Sequence, residues 1–166
     1  MSGGTLQPVG AGKYVAHPAS VGKDAVITVN ANMDGRMQQM GQFSFRVRKL
    51  PDPTAFIEYA AEGGNNRFKG GRLSKQILMN TDGIGAAIDD GLLNIAFRVL
   101  GFETVFFDNM GNAVPEVSNS AAFTERQRSL FRSLGRGKRF YISRIRAVGP
   151  DGIERTLDGS MEVIVN

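Results

Sequence analysis

The chain has no cysteine, no tryptophan, a single histidine and no long apolar run. Each absence removes a class of function. Without thiols there can be no disulfide, thiol nucleophile, zinc knuckle or iron–sulfur cluster. The redox compartment stays open, because a thiol-free chain persists in oxidising and reducing spaces alike. One imidazole, His17, cannot build a two-histidine metal site, and a Ser-His-Asp triad would have to use it as base with no nucleophile elbow to serve. Tryptophan, the aromatic most used in sugar and peptide platforms, is missing too. No stretch reaches the roughly 18 uninterrupted apolar residues of a membrane span. Met1 is followed by Ser2-Gly3-Gly4, which lacks the charged and apolar regions of a signal peptide, so any anchor or export signal is expected outside this segment. The expectation is a binding or structural module rather than an enzyme, with no catalytic residue, metal or cofactor.

What is present suits an ordinary folded chain: 166 residues, 42% hydrophobic and 22% charged. The 20 Lys+Arg against 16 Asp+Glu leave only +4, too small an excess to name nucleic acid as a partner. Gly and Pro fall at intervals, and Asp-Gly pairs at 34–35, 82–83, 90–91, 151–152 and 158–159 predict tight turns, since Gly supplies positive φ and Asp tolerates it. Between them lie runs with strand chemistry. Residues 25–30 are β-branched, Phe43 to Arg48 alternate, Leu92 to Phe107 form a long apolar run broken at Gly101, and Met161 to Val165 close the chain. Thr124-Glu125-Arg126-Gln127 fits a capping box, which predicts one short helix over about 124–134 with Gly135 as its stop. Phe140 and Ile142 share one strand parity while Ile145 and Ala147 share the other, which predicts a β-bulge near Ser143-Arg144.

A weak internal repeat divides the chain. Gly22-Lys23, Ile27, Ala31, Asp34-Gly35 and Phe43 line up with Gly137-Lys138, Ile142, Ala147, Asp151-Gly152 and Met161. Each copy describes a strand, a hairpin and a return. The second ends the chain; the first should end a domain of its own. Pro51-Asp52-Pro53 directly after it reads as a stiff junction that no central strand could cross. The expectation is an all-β protein of immunoglobulin-like β-sandwich domains. Residues 54–166 would form the C-terminal sandwich and residues 1–50 the last strands of a preceding domain, incomplete or exchanged between chains.

Phe45-Arg46-Val47-Arg48-Lys49-Leu50-Pro51-Asp52-Pro53 resembles the signature that joins the last two periplasmic domains of the GldM/PorM family. Gly63-Gly64 with Gly70-Gly71, the Phe102 region, Phe123-Thr124 and Ile145 through Gly152 also resemble it, in order, and suggest the PorM branch. The resemblance implies a periplasmic fragment of the dimeric core subunit of type IX secretion and gliding. That subunit is anchored in the inner membrane by an N-terminal helix absent here. It would meet its motor partner through that absent region and reach the outer-membrane-associated ring through the domains present.

Charge segregates along the chain, and 111–166 carry nine Lys/Arg against six acids. Arg128, Arg132, Arg136, Lys138 and Arg139 make a candidate contact stripe for an acidic partner surface; otherwise they are a solvated helix face. The same run from 126 to 139 admits a second function class, a polyanion-binding β module for lipopolysaccharide or nucleic acid, although no nucleic acid is expected. Arg46, Arg48 and Lys49 would guard a strand edge. Residues 63–71 would form a hairpin tip, and Asp82, Asp89 and Asp90 would be turn residues.

Overall fold

The β-branched runs and Asp-Gly turns fold into strands throughout the computed structural model, which describes residues 1–166. The chain divides into two units, Met1–Leu50 and Pro51–Asn166. In the first, β1 (Gly4–Gly10) pairs with β2 (Lys13–Pro18), and β3 (Asp24–Met33) with β4 (Arg36–Arg46), as two separate antiparallel hairpins. Asp34 and Gly35 turn the second hairpin with φ of 51° and 80°, the consecutive left-handed pair that a two-residue loop needs to match strand twist. Ser2 bridges to Val26 through reciprocal backbone bonds of 2.9 and 3.0 Å, tying the hairpins together.

The second unit runs β5 (Thr54–Ala61), β6 (Gly64–Phe68), β7 (Gly71–Leu73), α1 (Lys75–Asn80), β8 (Gly85–Asp89), β9 (Asn94–Phe107), β10 (Ala113–Ser118), α2 (Glu125–Ser133), β11 (Arg139–Val148), β12 (Glu154–Thr156) and β13 (Met161–Val165). The strands join in one sheet of order β6-β5-β8-β9-β11-β13-β7, with β10 added to β9 and β12 to β11. Only β13–β7 is parallel. The all-β, sandwich-like expectation therefore holds.

Phenylalanines hold α2 to the sheet. Phe131 lies 4.9 Å from Phe123, 5.0 Å from Phe140 and 5.8 Å from Phe106, and Phe102 packs edge-on against Phe123. All five are buried. The capping box forms as expected: Thr124 Oγ1 accepts from the Gln127 amide at 3.2 Å, and Gln127 Oε1 accepts from the Thr124 amide at 2.9 Å. The same buried Gln127 donates through Nε2 to Thr104 Oγ1 and the Glu116 carbonyl, both at 3.0 Å, so the cap also fastens the helix to β9 and β10.

Several local expectations are corrected. There are two helices rather than one; α1 has six residues, too few for a periodic signal, and starts at Ser74, whose hydroxyl accepts from the Ile77 amide. α2 ends on an extended Leu134 (φ −69°, ψ 125°) without Gly135 turning left-handed. Asp82-Gly83 is no tight turn. Gly83 bridges to Ala122, and a Cβ there would sit 2.0 Å from the Ala121 carbonyl oxygen, so the glycine permits close approach. Leu92 and Leu93 are not the start of a buried strand but a hairpin tip, with Asp90 Oδ1 accepting from both amides. Residues 63–71 are not a single tip, because Gly64–Phe68 pair with β5. The bulge near Ser143-Arg144 is present, with Arg144 at φ 49°.

Gly101 sits in the middle of β9 outside the left-handed region, so its need for glycine is spatial: a Cβ would stand 2.8 Å from the Ser118 carbonyl oxygen. Gly101→Ala is expected to cost about 1–3 kcal/mol by overpacking. Gly135→Ala, where a Cβ meets open space, should be near neutral. Urea unfolding of both variants checks this, and equal midpoints would refute it.

Candidate functional site

A buried guanidinium fastens the junction. Arg155 on β12 is 5% exposed. It donates from Nη1 and Nη2 to the two oxygens of Asp151 at 3.1 and 2.5 Å, and from Nη1 to the Ile153 carbonyl at 3.0 Å. Its Nε lies 3.2 Å from Asp52 Oδ1, and its ring-facing side lies over Phe97. Pro51 and Pro53 therefore flank a residue held to the folded sheet by an ion pair. Gly149 keeps the site tight, since a Cβ there would fall 2.6 Å from the Phe97 ring. The Arg155 guanidinium beside Asp151 holds that carboxyl down to about 2. Sequence reasoning assigned Asp151 to a turn and Asp52 to a stiff linker, and missed Arg155. Three residues spread over more than a hundred positions carry no local pattern.

The five basic residues do not form one stripe. Arg128 reaches Asp82 Oδ1 at 3.2 Å, Arg132 lies 3.8 Å from Glu125, and Arg136 donates to the Asn166 side chain at 3.4 Å. Arg139 belongs to β11 and pairs with Glu162 at 3.0 Å. Because Phe140 beside it points toward α2, Arg139 points to the opposite sheet face. Lys138 closes a turn by donating its amide to the Gly135 carbonyl, and its own carbonyl accepts from the Val165 amide. Lys75 covers the end of α2 by donating to the Arg132 and Leu134 carbonyls at 2.7 and 2.8 Å. The acids read as turn residues are also occupied. Asp89 is held below its ordinary range by Lys69 and then Arg67, and Asp90 by the Leu93 and Leu92 amides. His17 lies on β2 with an exposed side chain, opposite Thr5.

The repeat becomes a common register. Ile27 stands opposite Phe43, as Ile142 stands opposite Met161; Ala25 stands opposite Phe45, as Phe140 stands opposite Val163. The first hairpin shifts register beyond these pairs, at Val29/Asn30, while β11 shifts against its other neighbour, β9. Their surroundings differ. Met161 is 5% exposed beneath the second unit's core, whereas Phe43 is 55% and Phe45 54% exposed. Within the first unit, Ala25 is the sole buried hydrophobic residue. Nothing in that unit takes the place that β9 and α2 occupy against β11 and β13.

Two family models match the chain: the one described as GldM third domain covers residues 1–48, and the one described as GldM C-terminal domain covers residues 51–166. No curated protein matches it.

The clasp predicts an acid dependence. Asp151 is protonated near 3.8 in the unfolded chain and near 2 when folded. The ion pair's contribution is therefore complete above about pH 4 and is lost as pH falls toward 2. Asp151→Asn should lower the melting temperature at pH 6 and flatten its fall across that window. An unchanged acid slope in the variant would count against the clasp.

Proposed function

This chain belongs to the GldM family, whose third and C-terminal domains it carries in order, and we propose that it is the dimeric periplasmic portion of an inner-membrane-anchored subunit linking a motor to an outer-membrane-associated ring. Membership makes it a component of type IX secretion and gliding motility, a family of structural rather than catalytic role. No helix of the chain is long and apolar enough to cross a membrane.

The observation that carries the dimer is the bare hairpin of residues 24–46. In the second unit the same hairpin, in the same register, is covered and its Phe140, Ile142, Met161 and Val163 are buried. In the first, Val29, Phe43 and Phe45 lie in the open at 46–55%. An uncovered sheet face of that size and apolarity is an interaction surface, and two strands alone do not form a stable layer. A second copy covers it, by apposition or by exchange of strands, which makes residues 1–50 half of a shared domain. Beyond them, the Pro51-Asp52-Pro53 segment supports relay of force into the second unit, since two residues have fixed φ angles and Asp52 ion-pairs with the buried Arg155. The polyanion reading has weaker support, because Arg126, Arg128, Arg132 and Arg139 already face carboxylates.

Sedimentation equilibrium is expected to return twice the 18.0 kDa chain mass. Phe43→Asp should weaken that dimer at least about tenfold, a ~1.4 kcal/mol effect. A wild-type monomer whose residues 1–50 resist proteolysis would overturn the shared domain. Crosslinking mass spectrometry on the intact envelope tests the ring contact; links from residues 51–166 only to the motor partner would refute it.

A further inference from the structure

The second unit has one packed sheet face and one bare one where β10, β9, β11 and β13 lie side by side. Phe102, Thr104, Phe106, Phe140, Ile142 and Val163 turn toward α2 and are buried. Alternate residues turn the other way. In register, Pro115 stands beside Val105, Val105 beside Tyr141, and Tyr141 beside Glu162; Ala113 stands beside Phe107, and Val117 beside Glu103. Phe107 is 44% and Val117 59% exposed, and Phe107 meets Tyr141 edge-on at 6.0 Å. The solvent face of an antiparallel sheet normally carries polar residues at such positions. This one carries an unbroken apolar centre across three strands, which marks a contact surface.

The rim says what it contacts. Arg139 pairs with Glu162 and Arg144 with Glu103, at 3.0 and 3.3 Å, and in both pairs the carboxylate is the sunken partner. The Glu103 side chain is 14% exposed against 79% for Arg144; the Glu162 side chain is 36% against 57% for Arg139. Arg72, in register with Ile164, and Lys138, beside Phe107 and Tyr141, add exposed cations without ion pairs. Asp108 at the end of β9 is turned inward to Asn112 and to the amides of Met110 and Asn112, which hold it below its ordinary range. The surface therefore presents guanidinium and ammonium groups around an apolar centre. Two copies meeting through it would set like charges against each other. Strand addition is also disfavoured: β10 has an open edge, since it pairs only with β9, but Pro115 removes a donor from the middle of that strand.

We propose that this face docks, face-on, a folded protein whose contact surface is apolar at its centre and acidic at its rim. The inference rests on the secretion reading only for the partner's source, the ring. A photoreactive residue placed at Val117 in the intact protein, in its native cell envelope, tests it, with Leu92 on the β8–β9 hairpin tip as the comparison site. The expected result is an adduct from Val117 to an identified protein through an acid-rich peptide, with none from Leu92. The yield should fall about tenfold in Arg72→Glu with Lys138→Glu, since rim charges govern encounter. Neither residue makes an ion pair, so the melting temperature should not move. An adduct to a ring protein supports the face and the ring role together. An adduct to another identified protein supports the face and removes the ring assignment. No adduct, an adduct to lipid or to a second copy, or a yield insensitive to the charge reversals would overturn the docking face.

Discussion

A strand of 14 residues in a right-twisted sheet can serve more than one neighbour along one edge, and β9 changes partner around Gly101. Up to Phe97 it pairs with β8; from Phe102 onward the same edge pairs with β10. Its other neighbour, β11, carries a bulge between Ser143 and Arg146 that places Arg144 at φ 49°. A bulge re-aims the strand that carries it and increases its local twist. The change of partner divides the labour along β9. Its first part backs onto the segment that carries the clasp, through Phe97 under Arg155. Its second part lies under α2 and the phenylalanine cluster.

That arrangement explains why the two hairpins of similar sequence have different fates. A hairpin is a marginal structure in water until something covers one face. In the second unit β9 extends the sheet beside β11 and α2 covers a face, and Ile142 and Val163 become fully buried. In the first unit the hairpin sets apolar residues opposite one another at the corresponding positions, yet no third strand pairs with it. Sequence similarity thus fixes the hairpin but not its environment. An apolar face repeated without its cover is an unfinished contact, and the side chains left in the open are those whose counterparts are core.

What the sequence showed was local. The capping box at Thr124 and Gln127, the bulge near Ser143 and Arg144, and the turn at Asp34-Gly35 were all legible, because each depends on residues within a few positions of one another. So was the all-β class, from strand-length runs between turns. Six-residue α1 was not, because a helix of that length has no period to read, and Ser74 looks like any loop serine. Gly83 was misassigned because a glycine chosen for close approach to Ala121 looks identical, in sequence, to one chosen for positive φ. The basic run was the least legible feature. Arg128 and Arg139 are 11 positions apart, but an intervening turn and the alternation of β11 send them to different sides of the sheet. Charge spacing says nothing about partners such as Asp82 and Glu162, which only folding brings near.

The clasp lies between these extremes and bears most on function. Prolines at 51 and 53 limit backbone rotation from within the linker, but a stiff linker can still pivot where it meets a folded body. Asp52 removes that freedom by reaching Arg155, which is itself fixed by Asp151 and stacked on Phe97. A pull applied at Pro51 would therefore pass through a buried guanidinium into β12, from there through hydrogen bonds into β11, and across to β9. The ladder is antiparallel at each of these steps, so the load is spread over several backbone bonds and not concentrated on one. A buried charge is a weak source of stability when compared with an apolar substitute. Its advantage is directional: a guanidinium fork donates to a carboxylate in only a few geometries, so the bidentate bond to Asp151 fixes the group that Asp52 reaches. For a protein whose proposed task is to carry position from one membrane toward another, a fixed contact at that point matters more than the energy spent in holding it.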